Sequence, residues 1–261
     1  MTRIGCMFQQ RRKALVAYLT AGDPSPARTP SLVEALVRGG ADLIELGVPF
    51  SDPIADGPVI QRAGERALKA GTTLETVLSI AREIRSKSEV PLLLFTYLNP
   101  VLRYGLDRLG REAARAGIDG CLLTDASVEE AESYVAAMHG HGLDTVFLAA
   151  PTSTPRRLKL VAQYSTGFVY LVSRTGVTGE RDSLSASVIP LIQSVRAITD
   201  LPIVVGFGIN KPEQVSALAP DVEAVAVGSA IVRLIERNSP TLESDLESYA
   251  RSLKSALGAA S

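Results

Sequence analysis

The feature that most constrains this chain is an alternation. Short apolar runs rich in β-branched residues recur along its length, with amphipathic stretches of helical period between them. Parallel strands need long crossovers and cover on both faces, so this rhythm is the sequence form of successive βαβ units. Candidate strands are Ala14–Thr20, Asp42–Val48, Pro91–Tyr97, Gly120–Asp125, Asp144–Ala150, Gly167–Ser173, Pro202–Gly208 and Ala224–Ala230. Helical patterns fall at Pro26–Arg38, Leu74–Ser86, Glu129–His139, Pro155–Tyr164, Ala186–Ile198, Lys211–Leu218 and Leu242–Leu257, often with Ser, Thr or Pro near the start. Eight strands without a Pro/Gly-rich linker predict an α/β fold in which residues 1–261 form one (β/α)8 TIM-barrel domain rather than an open doubly wound sheet.

Composition agrees with that reading and removes competitors. The chain is 46% apolar and 21% charged, enough apolar surface for a substantial core, and its formal net charge is −1. Basic and acidic residues are interspersed, so neither nucleic acid nor a membrane surface is an expected partner. The two cysteines, Cys6 and Cys121, lie far apart without ligand spacing, which predicts no disulfide framework, no metal site and a cytoplasmic setting. Arg11, Arg12 and Lys13 ahead of Ala14–Ala21 imitate a secretory leader, but the apolar core is short and ends in a turn signal, so it reads as the first strand. No segment approaches the roughly 18 apolar residues of a membrane span.

Barrel enzymes carry their chemistry on loops after the C-terminal ends of the strands. Two such loops stand out: residues 49–58 after the second strand and residues 174–182 after the sixth, whose length and glycine content suit covers that exclude water. On the second strand, side-chain alternation puts Leu43, Glu45 and Gly47 on one face and Ile44 and Leu46 on the other. With Ile44 and Leu46 against outer helices, Glu45 points into the barrel near its mouth. No strand core holds a basic residue to pair with it, so its pKa is expected to rise, which suits a proton carrier. Asp56, between Ala55 and Gly57, reads in isolation as a turn residue, and Asp52 before Pro53 as a turn or helix cap.

At the far side of the barrel, Val205-Gly206-Phe207-Gly208 ends the seventh strand and Gly228-Ser229-Ala230 leads from the eighth into an apolar helix. Glycines there let backbone N–H groups approach an anion, and a helix start adds partial positive charge. With Gly179 from the sixth loop, these segments predict a phosphate site, the usual one for this barrel. The lysines (Lys13, Lys69, Lys87, Lys159, Lys211 and Lys254) all fall in helices or connections, which disfavours a Schiff-base route. His139 and His141, the only histidines, lie at the opposite end from the mouth, so no metal is expected. Carboxylate proton transfer on a phosphorylated substrate remains, assisted by Tyr170, which shares a face with Phe168 and Val172.

The segments Ala17–Pro24, Ile44–Pro58, Ser173–Gly179, Gly206–Ile209 and Gly228–Val232 strongly resemble the tryptophan synthase α-subunit family, in order and over essentially the whole chain. One departure is Ala126-Ser127 after Asp125, where the family carries a proline. The resemblance implies retro-aldol cleavage of indole-3-glycerol phosphate to indole and D-glyceraldehyde 3-phosphate in tryptophan biosynthesis. It assigns Glu45 the acid/base role, Asp56 the charge at the indole N–H, Thr178 a hydrogen bond to Asp56, and Tyr170 a place beside Glu45. Phe95, Tyr97 and Phe207 would surround indole, while Gly179, Gly208, Gly228 and Ser229 would hold phosphate. It further implies an α2β2 complex whose β subunit carries pyridoxal phosphate, no cofactor in this chain, and a partner-facing edge at Asp52 and Pro53. A stand-alone indole-releasing lyase, a non-catalytic activating subunit and another phosphosugar barrel enzyme such as an isomerase are the competing readings.

Overall fold

The computed structural model describes residues 1–10, 12–172, 184–206 and 208–258. Its parallel strands β1 (Ala14–Thr20), β2 (Leu43–Gly47), β3 (Leu92–Thr96), β4 (Gly120–Leu123), β5 (Asp144–Ala149), β6 (Val169–Val172), β7 (Ile203–Gly206) and β8 (Ala224–Val227) pair in sequence order, and β8 closes onto β1. Closure leaves no strand edge exposed. Helices α1 (Arg3–Gln9), α2 (Thr29–Arg38), α3 (Pro58–Lys69), α4 (Leu74–Arg85), α5 (Leu98–Tyr104), α6 (Leu106–Arg115), α7 (Glu132–Gly140), α8 (Pro155–Tyr164), α9 (Leu184–Arg196), α10 (Pro212–Leu218), α11 (Ser229–Arg237) and α12 (Leu242–Gly258) complete the described elements.

Alternation along each strand sorts the core into two layers. Ile44 and Leu46 belong to the large layer between strands and helices, whereas Leu43 belongs to the barrel interior with Val16, Tyr18, Leu93, Phe95, Leu122, Val146, Phe168, Tyr170 and Val204. The interior is therefore packed rather than hollow. α1, which has no periodic signal in the sequence, plugs its lower end: Ile4 is fully buried and Phe8 meets Phe168 edge-on at 5.8 Å. At the upper end the apolar runs outlast the ladders. β8 stops short of the expected Ala230 because Gly228 turns the chain directly into α11.

Acidic residues just ahead of β2, β4 and β8 lock neighbouring strands together at the lower rim. Asp42 accepts the Leu15 N–H at 2.7 Å and the Lys254 ammonium at 2.7 Å. Asp119 accepts the Leu92 N–H at 2.9 Å and the Arg85 guanidinium at 3.0 Å, and Glu223 accepts the Ile203 N–H at 2.8 Å beside Arg196. Each carboxylate is held both by a backbone donor and by a cation, the condition under which a buried charge stabilises. A further clamp joins the turn after β4 to α5, where Asp125 accepts the Leu98 N–H at 2.7 Å. In that turn Ser127 opens a short 3-10 segment, Val128–Glu130, in place of the proline-led form.

Removing the buried Asp119 carboxylate orphans the Leu92 N–H and takes from Arg85 its nearest carboxylate, leaving it the Gly117 and Ser88 carbonyls and the more distant Glu89. Asp119→Ala is therefore expected to lower unfolding free energy by about 2–4 kcal/mol in urea titrations. Removing the exposed Glu75–Arg108 pair with Glu75→Ala should cost less than about 1 kcal/mol.

Candidate active site

The barrel brings Glu45 to the middle of β2, directly between Tyr18 of β1 and Leu93 of β3 in the strand register. Its side chain is 1% exposed, and its Oε1 has no hydrogen-bond partner among the described residues. Burial pushes its pKa up to about 8, and among the described residues no cation favours its charged form. At neutral pH Glu45 is mostly a carboxylic acid, a proton donor in an apolar wall. The sequence reading of this residue, from alternation and from the lack of basic residues in the strands, matches its position.

Two tyrosines flank it from the interior face. Tyr170 on β6 lies close enough for the Glu45 charge to contribute to holding its phenol protonated, after burial itself. Tyr18 on β1 is 6% exposed, stacks edge-on against Phe95 at 5.2 Å, and feels first its own burial, then Asp56, then Glu45. The two tyrosines are seated alike. Each leans over a glycine on the next strand, Tyr18 over Gly47 and Tyr170 over Gly206, where any Cβ would run into the phenol hydroxyl. Those glycines are thus required by close approach rather than by backbone conformation. Tyr18 is the site residue that sequence reasoning missed. Parity on β1 puts it on the face of Val16, and the β1–β2 register puts it opposite Glu45, but register is a property of pairing and not of either strand alone.

Asp56 lies in the connection between β2 and α3, half-buried, ahead of Gly57 and Pro58 at the start of the helix. A turn runs from the Asp56 N–H to the Pro53 carbonyl at 3.1 Å, and the Gln61 amide donates to the Asp56 carbonyl at 2.9 Å. That turn centres on Ile54 and Ala55 and closes at Asp56, so Gly57 lies outside it, and the carboxyl group is directed inward. Burial raises its pKa to about 6, with the Tyr97 hydroxyl pulling the other way. Tyr97 also accepts the Ala55 N–H at 3.1 Å, and its ring meets Phe50 at 5.2 Å. It therefore fastens the inner side of this connection, a contact its assignment to an indole wall does not include. Phe95 faces the barrel interior. On the outer side, Asp52 is exposed, Pro53 is half-buried and Ile54 is 83% exposed.

Gly228 is the residue ahead of the first turn of α11 and Ser229 its first helical residue; no side chain caps this end, so its backbone donors are open to an anion. Gly208 has φ +81°, a left-handed conformation that favours glycine. Thr178, Gly179 and Phe207, with the rest of the loop after β6, lie outside the described residues. Among the described residues no group of three His, Cys, Asp or Glu is arranged to hold a metal ion, and no helix is long and apolar enough to cross a membrane.

Fold and site together define a closed parallel (β/α)8 barrel with two carboxyl groups of raised pKa, Glu45 inside it on β2 and Asp56 in the connection that follows. The family model for the tryptophan synthase alpha chain matches residues 6–259. A tryptophan synthase alpha chain of Solibacter usitatus is 78% identical over 99% of both chains, and one of Geobacter sulfurreducens is 46% identical over 99% of this chain and 100% of that one. Among solved structures, tryptophan synthase subunit alpha of Legionella pneumophila superposes with a TM-score of 0.89 at 36% identity over 99% of both chains, and a chain of Mycobacterium tuberculosis tryptophan synthase with 0.90 at 37% identity over 98% of both. The chain belongs to the tryptophan synthase alpha chain family, and it is accordingly the enzyme subunit that cleaves indole-3-glycerol phosphate.

Because the fold holds the Glu45 proton more tightly than the unfolded chain does, this residue weakens the fold progressively as pH rises from its ordinary value near 4.5 to about 8. Glu45→Gln removes that dependence. The variant is expected to match the parent near pH 4.5 and to exceed it at pH 9 by on the order of a few kcal/mol in urea unfolding. An equal difference at both pH values would contradict the assignment.

Proposed function

We propose that Glu45 and Asp56 carry the cleavage as an acid/base pair held in opposite protonation states. Near pH 7 Glu45 is neutral and Asp56 mostly ionised, an ordering that follows from the deeper burial of Glu45 and the Tyr97 hydroxyl beside Asp56. Glu45 donates its proton to indole C3, which turns the ring into an electron sink. The bond from C3 to the glycerol chain then breaks, and its electron pair restores the aromatic ring. The chain carbon becomes the aldehyde of D-glyceraldehyde 3-phosphate as its hydroxyl proton passes to Glu45, which regains its starting state. Asp56 stabilises the positive charge that develops at the indole N–H. The observation that carries this reading is the buried Glu45 carboxyl inside the barrel, whose Oε1 has no partner among the described residues.

Supporting roles follow the resemblance. Tyr170 lines the site beside Glu45, Thr178 hydrogen-bonds Asp56, Phe95, Tyr97 and Phe207 surround indole, and Gly179, Gly208, Gly228 and Ser229 hold phosphate through backbone donors. The whole chain acts as one barrel domain in the cytoplasm and needs no cofactor of its own. Its partner is a β subunit that carries pyridoxal phosphate in an α2β2 complex. The exposed edge at Asp52, Pro53 and Ile54 supports that assignment, because it presents an apolar tip next to the active site.

Purified chain supplied with indole-3-glycerol phosphate should release indole and D-glyceraldehyde 3-phosphate in equal amounts, faster when β subunit is added. Its kcat/KM should follow a bell with limbs near pH 6 and 8. Glu45→Gln should lower kcat by about 10²–10⁴-fold. Unaffected indole formation in that variant would overturn the mechanism, and no change on adding β subunit would favour a stand-alone lyase.

A further inference from the structure

Tyr18 occupies a position that none of the assigned roles uses. The base of its ring lies against Gly228, whose missing Cβ would stand 3.3 Å from the Tyr18 Cβ and Cδ1. Its hydroxyl lies over Gly47 on the opposite side. The side chain thus spans from the start of α11, where phosphate is assigned, to the strand that carries Glu45. A substrate with its phosphate at Gly228 and Ser229 and its ring between Glu45 and Asp56 must lay the connecting carbon chain across this tyrosine. Resting on that reading of the site, we propose that the Tyr18 hydroxyl hydrogen-bonds a hydroxyl of the substrate's glycerol chain and selects for a hydroxylated linker between ring and phosphate.

Geometry leaves the phenol suited to this task. Among the described residues its hydroxyl meets Thr20 Oγ1 at 3.4 Å, long for an O–H···O bond and two positions on along the same strand. A phenol has one donor and two acceptor positions, so a buried Tyr18 with one long contact retains capacity for a polar ligand group. The edge-on contact with Phe95 and the seat over Gly47 fix the ring, so the hydroxyl is held in place before substrate arrives. Burial and the nearby Asp56 and Glu45 keep the phenol protonated across the working range, which preserves it as a donor.

Tyr18→Phe keeps the ring, the stacking and the volume while removing only the hydroxyl. Two probes divide the outcomes: indole-3-glycerol phosphate, and 3-(indol-3-yl)propyl phosphate, which has the same ring, phosphate and chain length but no chain hydroxyl. The variant is expected to lose about five- to tenfold in kcat/KM for the first, the size of one neutral hydrogen bond. The inhibition constant of the second should change less than twofold. That unchanged constant also shows that the variant's pocket is folded. Equal losses for both probes would mean that Tyr18 acts only by packing, and no loss for either would mean that its hydroxyl faces no substrate group; both outcomes overturn the proposal. Failure of the unaltered chain to cleave indole-3-glycerol phosphate would instead overturn the reading of the site itself.

Discussion

The site depends on one burial: the Glu45 carboxyl inside an apolar barrel, with no cation in reach among the described residues. Ionising it there would place a negative charge in a poorly polarisable wall, so the barrel holds the proton on until chemistry removes it. The rest of the molecule keeps this arrangement in being. Ile44 and Leu46 anchor β2 on the helix layer, which fixes the opposite face of the strand, and the flanking tyrosines close around Glu45 without supplying a positive charge.

The contrast with Asp42, three residues earlier on the same chain segment, shows that the treatment of Glu45 is specific to its end of the barrel. Asp42 receives a backbone N–H and an ammonium group; Glu45 Oε1 receives nothing from the described residues. The lower rim uses carboxylates as structural clamps, each satisfied, while the upper mouth keeps one unsatisfied and one, Asp56, only partly restrained by Tyr97. This division matches the general behaviour of the fold, in which stability is invested at one end and reactivity at the other. It also sets a compromise: the residue proposed to transfer the proton weakens the fold above the pH at which it would otherwise ionise.

Much of this was legible in the sequence because it rests on periodicity. Period-two alternation located the strands and oriented Glu45, and the recurrence of helical patterns between them implied closure. What escaped reading depends on contacts between distant segments. α1 is only seven residues long, too short to hold itself, and exists because Ile4 and Phe8 find the lower end of the barrel interior. Tyr18 became visible as a site residue only through the register that sets it opposite Glu45. The clamps at Asp119 and Glu223 join residues tens of positions apart, with no local signature. Asp56 is the intermediate case: it belongs to a turn, as its residue type suggested, but the turn ends at Asp56 rather than running through Gly57, and the inward carboxyl reflects Tyr97 across the mouth.

The most direct test of this account is the titration of Glu45 itself. Infrared difference spectra between the unaltered chain and Glu45→Gln, followed through the protonated-carboxyl band as pH is raised, isolate that one group. The band should persist at pH 7 and disappear with a midpoint at about 8. A midpoint near 4.5, the ordinary glutamate value, would contradict it, because Glu45 would then reach the reaction already ionised and could not serve as the initial proton donor.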